Sequence, residues 1–177
     1  RLFCQNRPWI VIIIFGRGTK SFRPNSVDTT EFSNYDFCPR PFTIGKAEIF
    51  REGKDVSVFA CGPLLYNALV AAEELAADGI DVEVINNHTI KPLDKNTIIA
   101  SAQKTRAVVT VEEHMVAGGM GSAIAEVLAQ QFPVPMEFIG VHDRFGVTGE
   151  PSELIEAFGM GISHIKEANK KILLRKK

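Results

Sequence analysis

The stretch from Val108 to Gln130 constrains the fold more than any other part of the sequence, because it joins a β-branched run, a glycine cluster and an amphipathic segment. The run Val108–Val111 is short and apolar, which is typical of a buried strand in a parallel sheet. Gly118, Gly119 and Gly121 allow a sharp turn and let a helix begin close to that sheet. A strand, a glycine turn and a helix in this order indicate an open α/β sheet, in which crevices form at the strand ends.

The same alternation of strands and helices runs from Gly45 to the C-terminus. The predicted strands are Ala47–Arg51, Val56–Cys61, Asp81–Ile85, Ala107–Glu112 and Met136–Val141. Gly53-Lys54-Asp55 predicts a tight turn of hairpin type between the first two. The expected fold class is α/β: a three-layer α/β/α sandwich with a mixed, mostly parallel five-stranded sheet in which one strand is antiparallel.

Residues 1–44 have a different character. Trp9–Phe15 is dense in β-branched residues and predicts a buried strand, whereas the polar segment after Gly18 shows neither helical nor strand periodicity. We therefore interpret residues 1–18 as an orphan strand left from a preceding domain. Residues 19–44 are interpreted as a linker and residues 45–177 as the folded domain.

Composition excludes several classes of function. A formal net charge of −1 gives no overall field that would attract nucleic acid or an anionic membrane surface. Trp9–Phe15 is the longest apolar run and is too short to cross a bilayer. Cys4, Cys38 and Cys61 form no Cys-x-x-Cys pair, which fits a protein of the reducing cytoplasm.

Four motifs resemble the C-terminal domain of transketolase. They are Thr89-Ile-Lys-Pro-Leu-Asp94, Thr110-Val-Glu-Glu-His114, Gly118-Gly-Met-Gly121 and Phe145-Gly-Val-Thr-Gly-Glu-Pro151. The resemblance covers Gly45 to the C-terminus and implies the same mixed sheet. It also implies a parent enzyme that transfers a two-carbon ketol unit between sugar phosphates. In that family, thiamine diphosphate and Mg²⁺ lie between two preceding domains at a dimer interface.

The resemblance further implies that the catalytic parts lie outside this chain. Residues 1–18 resemble the end of the pyrimidine-binding domain, and the Gly-Asp-Gly motif that binds the cofactor's diphosphate is missing from the sequence. The chain alone is expected to bind no cofactor, to be inactive and to support assembly with the rest of the polypeptide or an N-terminal subunit, in a cytoplasmic homodimer. The equivalent domain of 1-deoxyxylulose-5-phosphate synthase, or of a 2-oxoacid dehydrogenase beta subunit, is the alternative within the resemblance.

Arg17 is the one residue to which the resemblance assigns a substrate contact. It resembles the family arginine that binds the substrate phosphate, and a guanidinium flanked by glycines can approach a phosphate closely. This role applies to the parent enzyme, and a solvated turn residue is the alternative.

The glycine loop is interpreted as structural, with two neighbouring residues holding its shape. The residues concerned are Glu113, His114, Gly118, Gly119 and Gly121. The alternative is an anion or regulatory-ligand site at the helix N-terminus, which would make the chain a small-molecule-binding regulatory domain. We predict no catalytic residue, because acid–base work by Glu112 to His114 is disfavoured by their alternating directions on a strand. No metal site is predicted, since the histidines lack ligand spacing.

Overall fold

The computed structural model describes residues 43–176, which form five strands and five helices. The strands are β1 (Glu48–Arg51), β2 (Val56–Ala60), β3 (Val82–Asn86), β4 (Val108–Met115) and β5 (Met136–Val141). The helices are α1 (Leu64–Ala77), α2 (Lys95–Thr105), α3 (Met120–Gln131), α4 (Pro151–Ala157) and α5 (Ile162–Arg175). The predicted strand Trp9–Phe15, Arg17 and the predicted linker up to residue 42 lie outside the described residues.

The strands form one mixed sheet in the order β1-β3-β2-β4-β5. β2 is parallel to β3 and β4, and β4 is parallel to β5. β1 runs antiparallel to its neighbour β3. Helices α1 and α5 pack together on one face of the sheet, and α2 and α3 pack together on the other. The predicted α/β/α sandwich with one antiparallel strand is confirmed.

The predicted hairpin between β1 and β2 is wrong. Because β1 pairs with β3, the chain from Glu52 to Asp55 crosses the start of β3 before it enters β2. The N–H groups of Lys54 and Asp55 donate to the carbonyl oxygen of Asp81 at 3.1 and 2.8 Å. A Cβ atom at Gly53 would lie 2.2 Å from the backbone of β3. The glycine therefore permits this close crossing and does not form a hairpin turn.

The two faces of the sheet differ in chemistry. Alternation along the strands directs one set of buried valines toward α1 and α5. These are Val56, Val58, Val82, Val84, Val109 and Val111. The other face contributes Phe59, Ile85 and Val108 to a core with Ile98 of α2 and Ile124 of α3. That face also carries buried acidic side chains, and their hydrogen bonds position the connections around it.

Glu83 is a fully buried acid near the amino end of the strands on this second face. Ser57 Oγ donates to its carboxylate at 2.7 Å, and Lys104 forms an ion pair with it. Ser57 Oγ also lies 2.8 Å from Thr105 Oγ1 at the end of α2. Burial lowers the pKa of Lys104, but hydrogen bonds to Glu83 and Glu52 outweigh that effect and raise its pKa above the usual value. These contacts connect α2 to the sheet, and the buried charge of Glu83 is paired with Lys104.

The loop between β3 and α2 anchors the entry to the domain. The Asp94 carboxylate caps α2 by accepting from the Thr97 N–H at 3.3 Å and from Thr97 Oγ1 at 2.8 Å. The same carboxylate accepts from the Ala47 N–H at 3.0 Å, and Thr89 Oγ1 accepts from the Gly45 N–H at 3.2 Å. Burial raises the pKa of Asp94, but its hydrogen bonds outweigh burial and hold that pKa below its usual value. The segment leading into β1 is thus fixed by side chains of this loop.

Asp94→Ala is expected to lower the free energy of unfolding at neutral pH by about 1–2 kcal/mol, because it removes a helix cap. The folded-state pKa of Asp94 lies below the unfolded value of about 3.9. Its stabilisation is therefore present above the unfolded pKa and is lost as pH falls through the folded pKa. Urea unfolding at a series of pH values should show that the difference in free energy of unfolding between wild type and Asp94→Ala becomes smaller as pH falls. A difference that does not change with pH would contradict the capping role of Asp94. So would an equal loss of stability in the exposed control Glu126→Ala.

Candidate functional site

The candidate site is the glycine loop at the carboxyl end of the parallel strands, where open α/β sheets form their crevices. Glu112 near the end of β4 is only 2% exposed. One of its carboxylate oxygens accepts from the Met120 N–H at 2.7 Å, and the other accepts from the Gly121 N–H at 2.8 Å. The first turn of a helix leaves N–H groups without partners and carries a partial positive charge. Glu112 therefore caps α3 from the strand that precedes it.

All four N–H groups of the glycine loop have internal acceptors. The Gly118 N–H donates to Ser122 Oγ at 3.0 Å, and the Gly119 N–H donates to the Val116 carbonyl oxygen at 3.2 Å. The remaining two donate to Glu112, as described above. An external anion would have to displace a buried carboxylate of the same charge. This geometry favours the structural interpretation of the loop over the anion site.

Three of the glycines in this loop have separate physical reasons to be glycine. Gly118 has a φ of +79°, in the left-handed region. A Cβ atom at Gly119 would lie 2.4 Å from Glu112 Oε2. One at Gly121 would lie 2.6 Å from Thr110 Oγ1 and 2.8 Å from the ring of Phe138. The second and third glycines thus let α3 approach the sheet closely enough for Glu112 to reach its first turn.

Glu113 and His114 lie beside this arrangement, on the solvent side. β4 is longer than predicted and runs to Met115, so both residues belong to the strand, and both are exposed. His114 Nδ1 lies 2.9 Å from the carbonyl oxygen of Met115. Their role in holding the loop stays a prediction, whereas the hydrogen bonds to the helix start come from Glu112.

Sequence reasoning grouped Glu112 with its neighbours and did not single it out. The available signal was the period of two: Thr110 and Glu112 share the face of β4 that carries α3. The N-cap of α3 is a glycine and has no side-chain acceptor. When a buried acid precedes such a helix, we expect that acid to accept the free N–H groups of the first turn.

Cys61 directly follows β2, at a strand end where a nucleophile could lie. Burial and, secondarily, the negative charge of Glu112 raise the pKa of its thiol to about 11. The thiol is therefore protonated at neutral pH, and a protonated thiol is a poor nucleophile. Cys61 is a free, partly buried cysteine with no feature of an activated nucleophile.

Between residues 43 and 176, no three His, Cys, Asp or Glu side chains are grouped so that they could hold a metal ion. The N–H groups of the glycine loop, the obvious donors for a diphosphate, already have acceptors. No helix in the same part of the chain has the length and apolar character needed to cross a membrane.

Comparison with known proteins supports the resemblance to the C-terminal domain of transketolase. Residues 45–165 match the family model described as "Transketolase, C-terminal domain". The chain is 48% identical over 135 residues to the 6-deoxy-6-sulfo-D-fructose transketolase subunit SqwH of Clostridium sp. (strain MSTE9). This match covers 76% of this chain and 42% of that protein. The chain is also 40% identical over 135 residues to the 1-deoxy-D-xylulose-5-phosphate synthase of Desulfitobacterium hafniense, covering 75% and 21%.

A solved structure shows the same fold. A chain described as "Split gene transketolase, inactive beta4 tetramer" superposes with a TM-score of 0.74 at 41% sequence identity, and the match covers 77% of this chain and 45% of that one. The matched part of this chain therefore spans less than half the length of each of these relatives.

Glu112→Gln is expected to lower the free energy of unfolding by about 1–3 kcal/mol, because the amide nitrogen would face an N–H donor and leave it unsatisfied. Glu113→Gln, one residue away but exposed, should change it by less than about 0.5 kcal/mol. Urea unfolding measures both, and amide hydrogen exchange at Met120 and Gly121 localises the effect. Equal losses for the two variants would contradict the capping role of Glu112.

Proposed function

The chain belongs to the transketolase C-terminal domain family, and from this we propose that it is the C-terminal domain of a thiamine-diphosphate-dependent transketolase. The match over residues 45–165 is the observation that carries the proposal. The parent enzyme transfers a two-carbon ketol unit from a ketose phosphate to an aldose phosphate. This chain contributes to assembly and to the mouth of the active site, and the chemistry belongs to other parts of the enzyme.

The geometry of the described residues is consistent with a structural role for this chain. Two acids of the family motifs, Asp94 before α2 and Glu112 in β4, accept backbone N–H groups at helix starts. Thiamine diphosphate and Mg²⁺ are held by the preceding domains, which supply the chemistry of ketol transfer. In the parent, Arg17 contacts the substrate phosphate through its guanidinium.

The partners of the chain follow from the same proposal. The relatives named as a transketolase subunit and as a split-gene transketolase support association with the remaining transketolase parts, either in the same polypeptide or as an N-terminal subunit. The assembled enzyme is a homodimer of the cytoplasm and acts in the pentose phosphate pathway. Residues 1–18 form the end of its pyrimidine-binding domain, residues 19–44 a linker, and residues 45–177 the C-terminal domain.

A second candidate is the equivalent domain of 1-deoxyxylulose-5-phosphate synthase. The 40% identity to the Desulfitobacterium enzyme favours it. Both candidates use thiamine diphosphate. They are distinguished by which of the two enzymes this chain completes.

The chain alone is expected to show no ketol transfer with thiamine diphosphate, Mg²⁺, a ketose phosphate donor and an aldose phosphate acceptor. When the chain is added to a transketolase truncated before its C-terminal domain, assembly should be restored and turnover should rise. Analytical ultracentrifugation and a coupled aldose-consumption assay measure the two effects. Turnover by the chain alone, or failure to associate with the truncated enzyme, would contradict the proposal. Association with a 1-deoxyxylulose-5-phosphate synthase truncated in the same way, and not with the truncated transketolase, would favour the synthase.

A further inference from the structure

A cavity lies beside the amino ends of β4 and β5, at the opposite end of the sheet from the glycine loop. Its volume is about 320 Å³. It is lined by two arginines and by the short apolar segment between α3 and β5: Arg106, Arg175, Phe132, Pro133, Val134 and Pro135. Sites for small molecules are typically cavities of this kind, with mostly apolar walls and a few polar groups that orient the ligand. We call it the arginine cavity.

The apolar wall of the arginine cavity is fixed by the rest of the domain. Phe132 and Val134 pack against the hydrophobic core. The carbonyl oxygen of Pro135 accepts from the Val108 N–H at 3.2 Å, which ties the segment to the start of β4. Pro133 and Pro135 have a restricted φ and no N–H group to donate. Hydrogen-bond donors for a ligand therefore come chiefly from the two arginines.

Arg175, in the last turn of α5, is held in place and still has donors left. Its Nη1 donates to the carbonyl oxygen of Met136 at 3.0 Å and also to the carboxylate of Glu137. A guanidinium carries five N–H donors in a rigid planar fork. Neither Nε nor Nη2 has an acceptor within residues 43–176. The contacts of Nη1 thus position a side chain that can bind a further acceptor.

Arg106 is the less satisfied of the two arginines. Within the part of the chain that the structure describes, its guanidinium has no ion pair and no hydrogen bond. Its backbone ends α2 in the left-handed region, with a φ of +55°, and its N–H donates to the Ala102 carbonyl oxygen at 2.8 Å. Glycine is the residue that adopts this conformation without strain at a helix end. The backbone therefore gives no reason for an arginine here, and a role for its side chain is the physical alternative.

A larger groove between β5 and α5 does not share these features. Its volume is about 440 Å³, but its two basic side chains already face carboxylates. Lys171 pairs with Glu137 at 2.8 Å, and His164 lies 3.5 Å from Glu156. Among the cavities of the described residues, the arginine cavity thus combines an apolar wall with cationic donors that lack acceptors.

We propose that the arginine cavity binds a small organic anion in which a carboxylate or phosphate group is attached to a flat apolar body. The acidic group accepts from Arg106 and from the free donors of Arg175, because guanidinium groups bind such oxygens bidentately. The apolar body packs against Phe132 and Val134. The cavity and the glycine loop lie at opposite ends of the sheet, and this proposal does not depend on the function proposed above.

The test uses the full 177-residue chain and probes that carry one or both halves of the expected ligand. Benzoate and benzyl phosphate carry both, acetate and inorganic phosphate carry only the anion, and benzyl alcohol carries only the ring. Amide NMR should show saturable shifts at Arg106, Val134 and Met136 with benzoate or benzyl phosphate. The Kd should be at least about tenfold lower than for the probes with one half, because ring burial and ion pairing both contribute. The tighter of the two complete probes identifies the acidic group as carboxylate or phosphate.

Arg106→Gly removes the guanidinium and also the strain of the left-handed backbone, so its thermal unfolding midpoint should stay close to that of wild type. Its Kd for the tighter probe should be at least about tenfold weaker, because the charge-assisted hydrogen bonds are lost. Arg106→Lys keeps the charge without the planar fork and should bind with an intermediate Kd. Lys95→Ala is the matched control, since it removes an exposed positive charge at the other end of the same helix. It should bind like wild type.

Four results would overturn the proposal. The first is that neither complete probe gives saturable shifts at these amides. The second is that acetate, inorganic phosphate or benzyl alcohol binds as tightly as the complete probes, which would remove either the apolar wall or the arginines from the site. The third is an equal loss of binding in Lys95→Ala, which would indicate only an effect of net charge. The fourth is unchanged binding by Arg106→Gly together with a lower unfolding midpoint, which would show that Arg106 only offsets the negative end of α2.

Discussion

The start of α3 requires an acceptor that the helix does not provide, and this requirement organises the carboxyl end of the fold. The N-cap of α3 is Gly119, which has no side chain to accept the first N–H groups. Glu112 supplies the acceptor from β4. The glycines at 119 and 121 are what let the helix come close enough. One carboxylate thus joins strand, loop and helix, and occupies the donors that an external anion would need.

Asp94 has a comparable role in the loop between β3 and α2. It caps α2 and also holds the Ala47 N–H of the entering chain. Two of the motifs that identify the family, Thr89–Asp94 and Thr110–His114, therefore each contain a buried acid that binds backbone. In both motifs the acid has a structural role, which is visible in the hydrogen bonds that it accepts. The motifs thus position the connections at the ends of the strands.

The periodicity of the sequence was sufficient to predict the strands, the layers and the mostly parallel sheet, because each depends on local patterns of apolar residues. It did not predict the partner of β1, since Gly53 is equally compatible with a hairpin and with a close crossing over β3. Whether Glu112 or Glu113 caps α3 depends on which face of β4 packs against α3. This packing is a property of the tertiary structure and cannot be read from local sequence patterns.

The N–H groups of the glycine loop are occupied by an internal helix cap and are not free to bind an external anion. Amide NMR of the chain, titrated with inorganic phosphate and with thiamine diphosphate, tests it most directly. The account predicts slow hydrogen exchange at Met120 and Gly121 and no saturable shift of either amide with either ligand. Saturable shifts centred on residues 118–122 would contradict it, because they would mean that an external anion replaces Glu112 at the start of α3.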